Sequence, residues 1–499
     1  MWSAMRGFLR RHRALLLVLA VAWILRLGIV LRGGQACFGD ESRYNSSLSA
    51  ANRAVHGELA SAVRTVWESH GHVGFVLLMM PVAIVECLHA PPRGDFEEEE
   101  LILPALFLST VSVACIALVY ALALALGAPA SEALLAAVLA AASTALFYWA
   151  RHVMAYDAAL ALQLAGLALG IGRGREVVRA FLAGALISSG LLVYYGAWYL
   201  AATTLLGCLL IGRRERTQHL MTRGAAVFLG AIAVPVPLEL LASAAGVPGV
   251  LFSRAWSFSG TINQGNFEDG WSLPWEYLWH AEHGLLVAFA LGAAVVVAAA
   301  RRDGIAPHRA ALSALAMAAA TYALLVLSSN VAHRMVVYGR TARVLVPFLC
   351  IATAHAAAVI FRRWPSGLLA GACALGLALH TVWSFAPVFA QEFPLDLRRR
   401  VEREHGPYAE WCSLVATQLA FPGARINPYP RSRWLLVNAR IYTEILGTRP
   451  CPPGVLVFEA SHPQAWPPYQ YEGITSEDRA VLRRAHLTMR LLDRGAEVR

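Results

Sequence analysis

Two adjacent carboxylates, Asp40 and Glu41, stand in the segment Cys37-Phe38-Gly39-Asp40-Glu41-Ser42-Arg43-Tyr44. A carboxylate fixed at a membrane surface can take a proton from an acceptor hydroxyl while that hydroxyl attacks an electrophile held in the membrane. The plainer reading is a solvated loop whose Asp40 caps a helix running from about Glu41 to His56. A second polar group, Arg151-His152 with Tyr156-Asp157, interrupts an apolar stretch, and Asp157 there can also be a helix cap. A third group comprises His333-Arg334, Tyr338-Gly339-Arg340 and Arg343. Clustered arginines before an apolar run suit a phosphate, unless they pair with Asp or Glu of neighbouring loops. All 42 basic residues are Arg and none is Lys, so any phosphate must be held by Arg, His, hydroxyl or backbone groups.

The elements that must position these residues are transmembrane helices. Of 499 residues 58% are hydrophobic and 15% charged, against roughly 25% charged in soluble domains. Apolar runs of the about 17–25 residues that cross a bilayer recur from residue 14 to residue 388. The net charge of +10 sits in short clusters between those runs, so it reads as a topology signal rather than a nucleic-acid face.

Arg6, Arg10, Arg11 and Arg13 place the N-terminus in the cytoplasm, as do the later clusters Arg173 to Arg179, Arg213 to Arg223, Arg301 to Arg309 and Arg362-Arg363 for their connections. No small-x-small cleavage site follows the first run closely, so it reads as a retained helix. About eleven crossings result: 14–31, 101–126, 131–150, 156–172, 180–193, 196–211, 224–245, 283–300, 310–328, 343–361 and 366–388. The stretch 73–89, with Pro81 and Glu86, reads as interfacial or re-entrant; as a crossing it would invert everything downstream or require 101–150 to merge into one span. All three polar groups, the acidic run Glu97 to Glu100 and residues 391–499 then face outward from a plasma (inner) membrane.

The outer loop 250–282 carries Trp256, Phe258, Asn263, Trp271, Trp275, Tyr277 and Trp279, which suits an interfacial aromatic belt or stacking on a sugar ring. Eight cysteines show no C-x-x-C spacing; Cys412 and Cys451 would face an oxidising compartment and could pair. No metal-ligand constellation stands out, although His70 and His72 near Asp40-Glu41 make a divalent cation conceivable. Residues 391–499 read as a small extracytoplasmic α/β or α+β domain. Its strands are expected at Trp434 to Val437 and Gly454 to Phe458, and an amphipathic helix over Ser476 to Leu492.

Over roughly residues 10 to 390 the chain resembles the glycosyltransferase superfamily of the C type. The nearest branch holds protein O-mannosyltransferases, lipid A aminoarabinose transferases and lipopolysaccharide galacturonosyl transferases. There an Asp-Glu pair follows the first helix with a Tyr shortly after, as in Asp40-Glu41-Ser42-Arg43-Tyr44. A His or Lys precedes a proline-containing apolar stretch, as His72 does; an Asp opens a helix after an Arg-containing turn, as in Arg151 to Asp157. An Arg stands seven residues before a Pro, as Arg340 before Pro347. The chain departs from the pattern at Leu103, at Tyr194-Tyr195 and in lacking a proline pair after His72.

The resemblance implies a polyprenyl-phosphate sugar as donor, an extracytoplasmic glycan, lipid or protein hydroxyl as acceptor, and inversion at the anomeric carbon. It implies Asp40 as catalytic base, with Glu41 and Asp157 beside it; Arg340, Arg343 and His72 on the donor phosphate; and Tyr44 and Trp271 as sugar or acceptor contacts. Two other classes remain open: a lipid or sugar transporter or flippase, for which charges at mid-helix and internal repeats are expected, and a non-catalytic protein of envelope assembly.

Overall fold

The computed structural model describes residues 12–32, 43–68, 72–89, 101–172, 176–211, 217–247, 271–332, 337, 339–363, 367–390, 456–460 and 487–491. Eighteen helices occur among them. The first five are α1 (Arg13–Arg32), α2 (Tyr44–Val55), α3 (Leu59–Glu68), α4 (Val73–His89) and α5 (Ile102–Leu126). Then come α6 (Ala130–Ala142), α7 (Thr144–Tyr148), α8 (Tyr156–Ile171), α9 (Glu176–Val193) and α10 (Trp198–Leu210). They continue as α11 (Thr217–Ile232), α12 (Pro235–Ala244), α13 (Leu273–Glu282) and α14 (Gly284–Asp303). The last four are α15 (Arg309–Asn330), α16 (Gly339–Ala342), α17 (Val346–Arg363) and α18 (Gly367–Ala390).

Among the described residues seven helical stretches are long and apolar enough to cross a membrane: Arg13–Leu31, Ile102–Leu126, Glu176–Val193, Leu220–Ala244, Gly284–Asp303, Ala306–Asn330 and Arg343–Arg362. Five shorter apolar helices accompany them, Val73–His89, Ala130–Ala142, Tyr156–Ile171, Tyr195–Leu210 and Ala372–Phe385. The expected eleven crossings correspond to these elements with α4 set aside. Leu17, Ile24, Leu210, Met221, Phe228, Val382 and Trp383 point outward from the bundle, a surface suited to lipid rather than water. The chain is a polytopic helical membrane protein.

Two expected helices are interrupted. The run 131–150 breaks at Ser143, which is extended (φ −69°, ψ 123°), so α6 ends at Ala142 and α7 starts afresh. The run 224–245 divides between α11 and α12 because Pro235, at the first position of α12, has no N–H to continue a helical ladder. The hairpin between α5 and α6 turns where expected: Gly127 takes φ 99° and closes α5 through its N–H to the Leu124 carbonyl.

In the C-terminal segment the structure corrects one element. Residues 487–491, expected at the end of a helix, form β2 (Leu487–Leu491), antiparallel to β1 (Leu456–Ala460) with Leu456 opposite Leu491. Leu487, Met489 and Leu491 alternate with Thr488 and Arg490, a period of two that fits a strand. Trp434 to Val437, Cys412 and Cys451 lie outside the described residues.

Close backbone approach joins α9 to α11. A Cβ on Gly184 would strike the Val227 carbonyl, and one on Gly230 the Phe181 carbonyl. Small residues at such crossings let membrane helices pack without a hydrophobic driving force between them. Gly184→Val should therefore lower stability by about 1–3 kcal/mol through overpacking, read as the thermal midpoint in detergent. Gly224→Ala on the partner helix α11, where the nearest atom is 3.8 Å from the added carbon, should be tolerated. Equal effects of the two changes would show that the contact is not tight.

Candidate functional site

One buried cluster collects the helix ends that the arginine-based topology puts on a single side. It holds Ile29 and Val30 from the end of α1, Tyr44 and Leu48 from α2, Leu101 and Ala105 at the start of α5, and Tyr156 and Ala158 at the start of α8. Val193 from the end of α9 and Tyr194 and Ala197, just before α10, complete that gathering. Residues beside the first two polar groups are thus brought to one end of the bundle; the third is linked to them through the Arg343–Asp157 ion pair.

Asp40 and Glu41 lie outside the described residues; the chain resumes at Arg43. The two residues that follow are both anchored on the segment 72–86. Arg43 Nη1 lies 3.1 Å from His72 Nε2, and Tyr44 donates its hydroxyl to Glu86 Oε2 at 2.6 Å. A guanidinium only donates, so Nε2 of His72 accepts and the ring proton belongs on Nδ1. Burial, and then the Arg43 cation, hold the His72 imidazole well below its ordinary value of 6.5. His72 is therefore a neutral hydrogen-bonding group, not a source of positive charge. Tyr44 is fully buried, which makes it an anchor for the start of α2.

From His72 an aromatic path leads to the second polar group. The imidazole meets Tyr194 edge-on at 5.1 Å and Tyr195 at 5.0 Å, and Tyr194 meets Tyr156 at 4.7 Å. Asp157, the next residue, is buried and ion-paired with Arg343, itself 1% exposed. Tyr156 lies within electrostatic reach of Arg343. The structure thus joins His72, Asp157 and Arg343, and it gives Arg343 an acidic partner from another segment. Arg340 is placed in the short α16, immediately before the 3-10 turn Arg343–Leu345 that opens α17; its side chain is not described. Trp271 is half exposed, and its carbonyl accepts the Tyr322 hydroxyl at 2.7 Å.

No protein-family model and no curated protein sequence matches the chain. Among solved structures it is similar to the oligosaccharyltransferase AglB of Archaeoglobus fulgidus in complex with an inhibitory peptide and a dolichol-phosphate. That likeness has 13% identity and a TM-score of 0.47, and covers 86% of this chain and 60% of that one. It is also similar to the apo form of the Archaeoglobus fulgidus enzyme, at 14% identity and a TM-score of 0.48 over 88% of this chain. The chain spans about 60% of the length of these structures.

Several residues of this end were missed in the sequence. Arg26 lies inside α1, fully buried, with Nε 3.1 Å from Ser112 Oγ, Nη1 3.2 Å from the Ala22 carbonyl, and its guanidinium 5.4 Å from the Phe147 ring centroid. On the same face of α5, Cys115 Sγ approaches the Asp157 carbonyl at 3.3 Å. Arg26, Ser112, Cys115, Asp157 and Arg343 therefore form one polar core beneath the helix ends. The signal was present: a single Arg within an otherwise apolar run is expensive in lipid and faces a partner. Hydrogen bonds to hydroxyl and carbonyl groups supply part of what a carboxylate would.

A second missed residue explains the break at Ser143. Glu282 is fully buried and accepts the Ser143 hydroxyl at 2.5 Å, Thr144 N at 3.1 Å and Ala145 N at 2.9 Å. It satisfies the N–H groups of Thr144 and Ala145 at the start of α7, beside the local cap in which Ser143 Oγ accepts Leu146 N at 3.3 Å. The helix that ends in Glu282, α13, also contributes Tyr277, whose hydroxyl accepts from Trp149 Nε1 at 3.0 Å. On its other side Trp271, Trp275 and Trp279 are exposed at a spacing of four residues, as an interfacial belt requires. Among the described residues no group of three or more His, Cys, Asp or Glu side chains could hold a metal ion; His70 is not among them.

Burial pushes Glu282 up from 4.5 to about 7, against the opposing effect of its three hydrogen bonds. A carboxyl with a raised native pKa binds its proton more tightly folded than unfolded, so this contribution to stability falls as pH rises from about 4.5 to about 7. Glu282→Gln should remove that component of the pH dependence while keeping an acceptor for Ser143. Thermal midpoints of both forms at pH 5 and pH 8 check it; an unchanged difference between the two pH values would refute the assignment.

Proposed function

We propose that this protein is a membrane glycosyltransferase of the C-type superfamily. It moves a sugar from a polyprenyl-phosphate donor to an extracytoplasmic hydroxyl on a glycan, lipid or protein, with inversion. The observation that carries this reading is the convergence at one end of the bundle: the residues that follow Asp40-Glu41 are tied to His72, and His72 leads through Tyr194 and Tyr156 to Asp157 and Arg343.

In the proposed reaction Asp40 takes the proton of the acceptor hydroxyl while that oxygen bonds to the anomeric carbon. The bond from that carbon to the phosphate oxygen breaks, and its electrons leave with polyprenyl phosphate. A phosphate with a second pKa of about 6 leaves without a partner acid, unlike the leaving group in the two-carboxylate arrangement of glycosidases. Glu41 orients Asp40 or the donor. Arg340 contacts the leaving phosphate as its charge grows, and His72, being neutral, contributes a hydrogen bond. The Asp157–Arg343 pair holds the start of α17 against the start of α8 and so fixes where Arg340 emerges. Trp271, half exposed, is the proposed residue for stacking on a sugar.

The test is a reconstituted assay with purified protein in liposomes, a polyprenyl-phosphate sugar labelled in the sugar, and an envelope acceptor fraction. Release of polyprenyl phosphate in equal amount to label gained by the acceptor is expected. Label that crosses the bilayer with the donor still intact would favour the transporter or flippase reading instead.

A further inference from the structure

The polar core beneath the helix ends holds more positive than negative charge. Arg26 stands inside the membrane-spanning stretch Arg13–Leu31 and is fully buried. The Ser112 hydroxyl, the Ala22 carbonyl and the face of Phe147 meet its guanidinium. Among the described residues no carboxylate pairs with it. Arg343 lies within electrostatic reach of Arg26, and Cys115 within reach of both. Asp157 is the one carboxylate of this core among the described residues, and it is paired with Arg343. Glu282, also fully buried, is taken up by Ser143, Thr144 and Ala145. Two guanidiniums against one carboxylate leave one positive charge uncompensated.

The same two arginines hold unused donors. Nη2 of Arg26 is buried without a hydrogen-bond partner, as are Nε and Nη1 of Arg343, whose Nη2 is the nitrogen that meets Asp157. A buried N–H without an acceptor is costly, and an unpaired cation within a membrane more so. Packing alone does not call for that cost at position 26, because an apolar side chain there would strand nothing. Ser112 gives its hydroxyl proton to the Leu146 carbonyl, and the Ala22 carbonyl already accepts within the helical ladder of α1.

An anion from outside the chain would answer both deficits. Guanidinium forks match the several oxygens of a phosphate, and no Lys is present to share the task. Arg26 comes six residues before Arg32, roughly 9 Å below the end of α1, and Arg343 opens the 3-10 turn that precedes α17. Both therefore belong to the end of the bundle where the candidate site gathers.

We propose that Arg26 is an anion-binding residue: together with Arg343 it takes the phosphate monoester of a membrane lipid, whose charge completes the core. The inference rests on the glycosyltransferase reading only for the source of that group, a polyprenyl phosphate; phosphatidate offers the same chemistry. Asp157 keeps Arg343 paired while the site is empty. Arg26 has no such partner, so it supplies most of the preference for a lipid phosphate over a lipid alcohol.

The experiment measures binding of a labelled polyprenyl phosphate, and of the matching polyprenol, to the purified full chain in detergent. Wild type, Arg26→Met and Arg26→Lys are compared, with phosphatidate as competitor in a second arm. Wild type is expected to prefer the phosphate. Arg26→Met should weaken phosphate binding by about 10- to 100-fold and leave polyprenol binding unchanged, whereas Arg26→Lys, which keeps the charge, should retain most of the preference. Without ligand, Arg26→Met should unfold no earlier than wild type, since it removes a buried unpaired charge. Displacement by phosphatidate would assign the site to lipid phosphates in general, and its failure to the polyprenyl lipid; either result upholds the anion site. A preference that survives in Arg26→Met, or one lost only together with stability, would overturn the inference and leave the glycosyltransferase reading standing. No preference in wild type would overturn both. Should Arg26→Met fail to fold, Arg26→Gln, which keeps a donor for Ser112 without the charge, supplies the same comparison.

Discussion

Replacing Asp40 by Asn is expected to lower sugar transfer by about 10²- to 10⁴-fold, the usual worth of a general base. Asparagine keeps the shape of the side chain and can still cap a helix, but it cannot take the acceptor proton. The neighbouring residues have anchors elsewhere: Arg43 meets His72 and Tyr44 bonds Glu86. Protein yield and thermal midpoint should therefore stay at the wild-type level while turnover collapses. Glu41→Gln, which alters orientation rather than the proton acceptor, should cost less. If Asp40 is only a helix cap, Asp40→Asn retains full activity.

The second large effect is on stability. Asp157→Ala removes the partner of Arg343 while leaving a guanidinium buried, a type of change that costs about 3–5 kcal/mol. Arg343→Met should cost a similar amount for the converse reason. The double variant Asp157→Ala with Arg343→Met leaves neither charge stranded, so it should be distinctly more stable than the two single losses added together. Unfolding in detergent measures all three. Strict additivity would mean that the pair contributes no coupling. Activity then separates roles: if Asp157 acts only through Arg343, the double variant recovers stability together with part of the transfer rate.

Most of the helices were legible because a bilayer imposes a length and a composition that few other constraints can mimic. The ends of α1, α5, α8 and α15 fall within a few residues of the apolar runs, and Gly127 marks the α5–α6 hairpin in the left-handed conformation that glycine favours. What composition could not show is where a helix yields to a distant side chain. The break at Ser143 has a local part, the Ser143 side chain capping α7 through Leu146 N, and a distant one, Glu282, 139 residues further along the chain, which no local pattern announces. The strand Leu487–Leu491 was hidden in a segment that fits a helical pattern almost as well, and its partner 456–460 decides it.

The candidate site was legible as residue types and not as pairings. Asp157 and Arg343 were each singled out, yet only the fold puts them in one ion pair. Tyr44 was singled out for a ligand, and the fold adds a bond from its hydroxyl to Glu86, a residue that the sequence marked only as an interruption of an apolar stretch. Arg26 is the clearest omission: one charge within α1 was absorbed into an apolar run, although its cost in lipid calls for partners such as Ser112 and the Ala22 carbonyl.

The central claim is that Asp40 and Arg340 face one site at the end of the bundle where α1 ends and α17 begins. Asp40→Cys combined with Arg340→Cys, in a background lacking other accessible thiols, tests it through a cross-linker no longer than a sugar phosphate. The account predicts that the reagent joins the two positions from the extracytoplasmic side and that added polyprenyl phosphate protects them. Labelling of the two positions from opposite sides of the membrane, or failure of the cross-link while each thiol reacts alone, would contradict it.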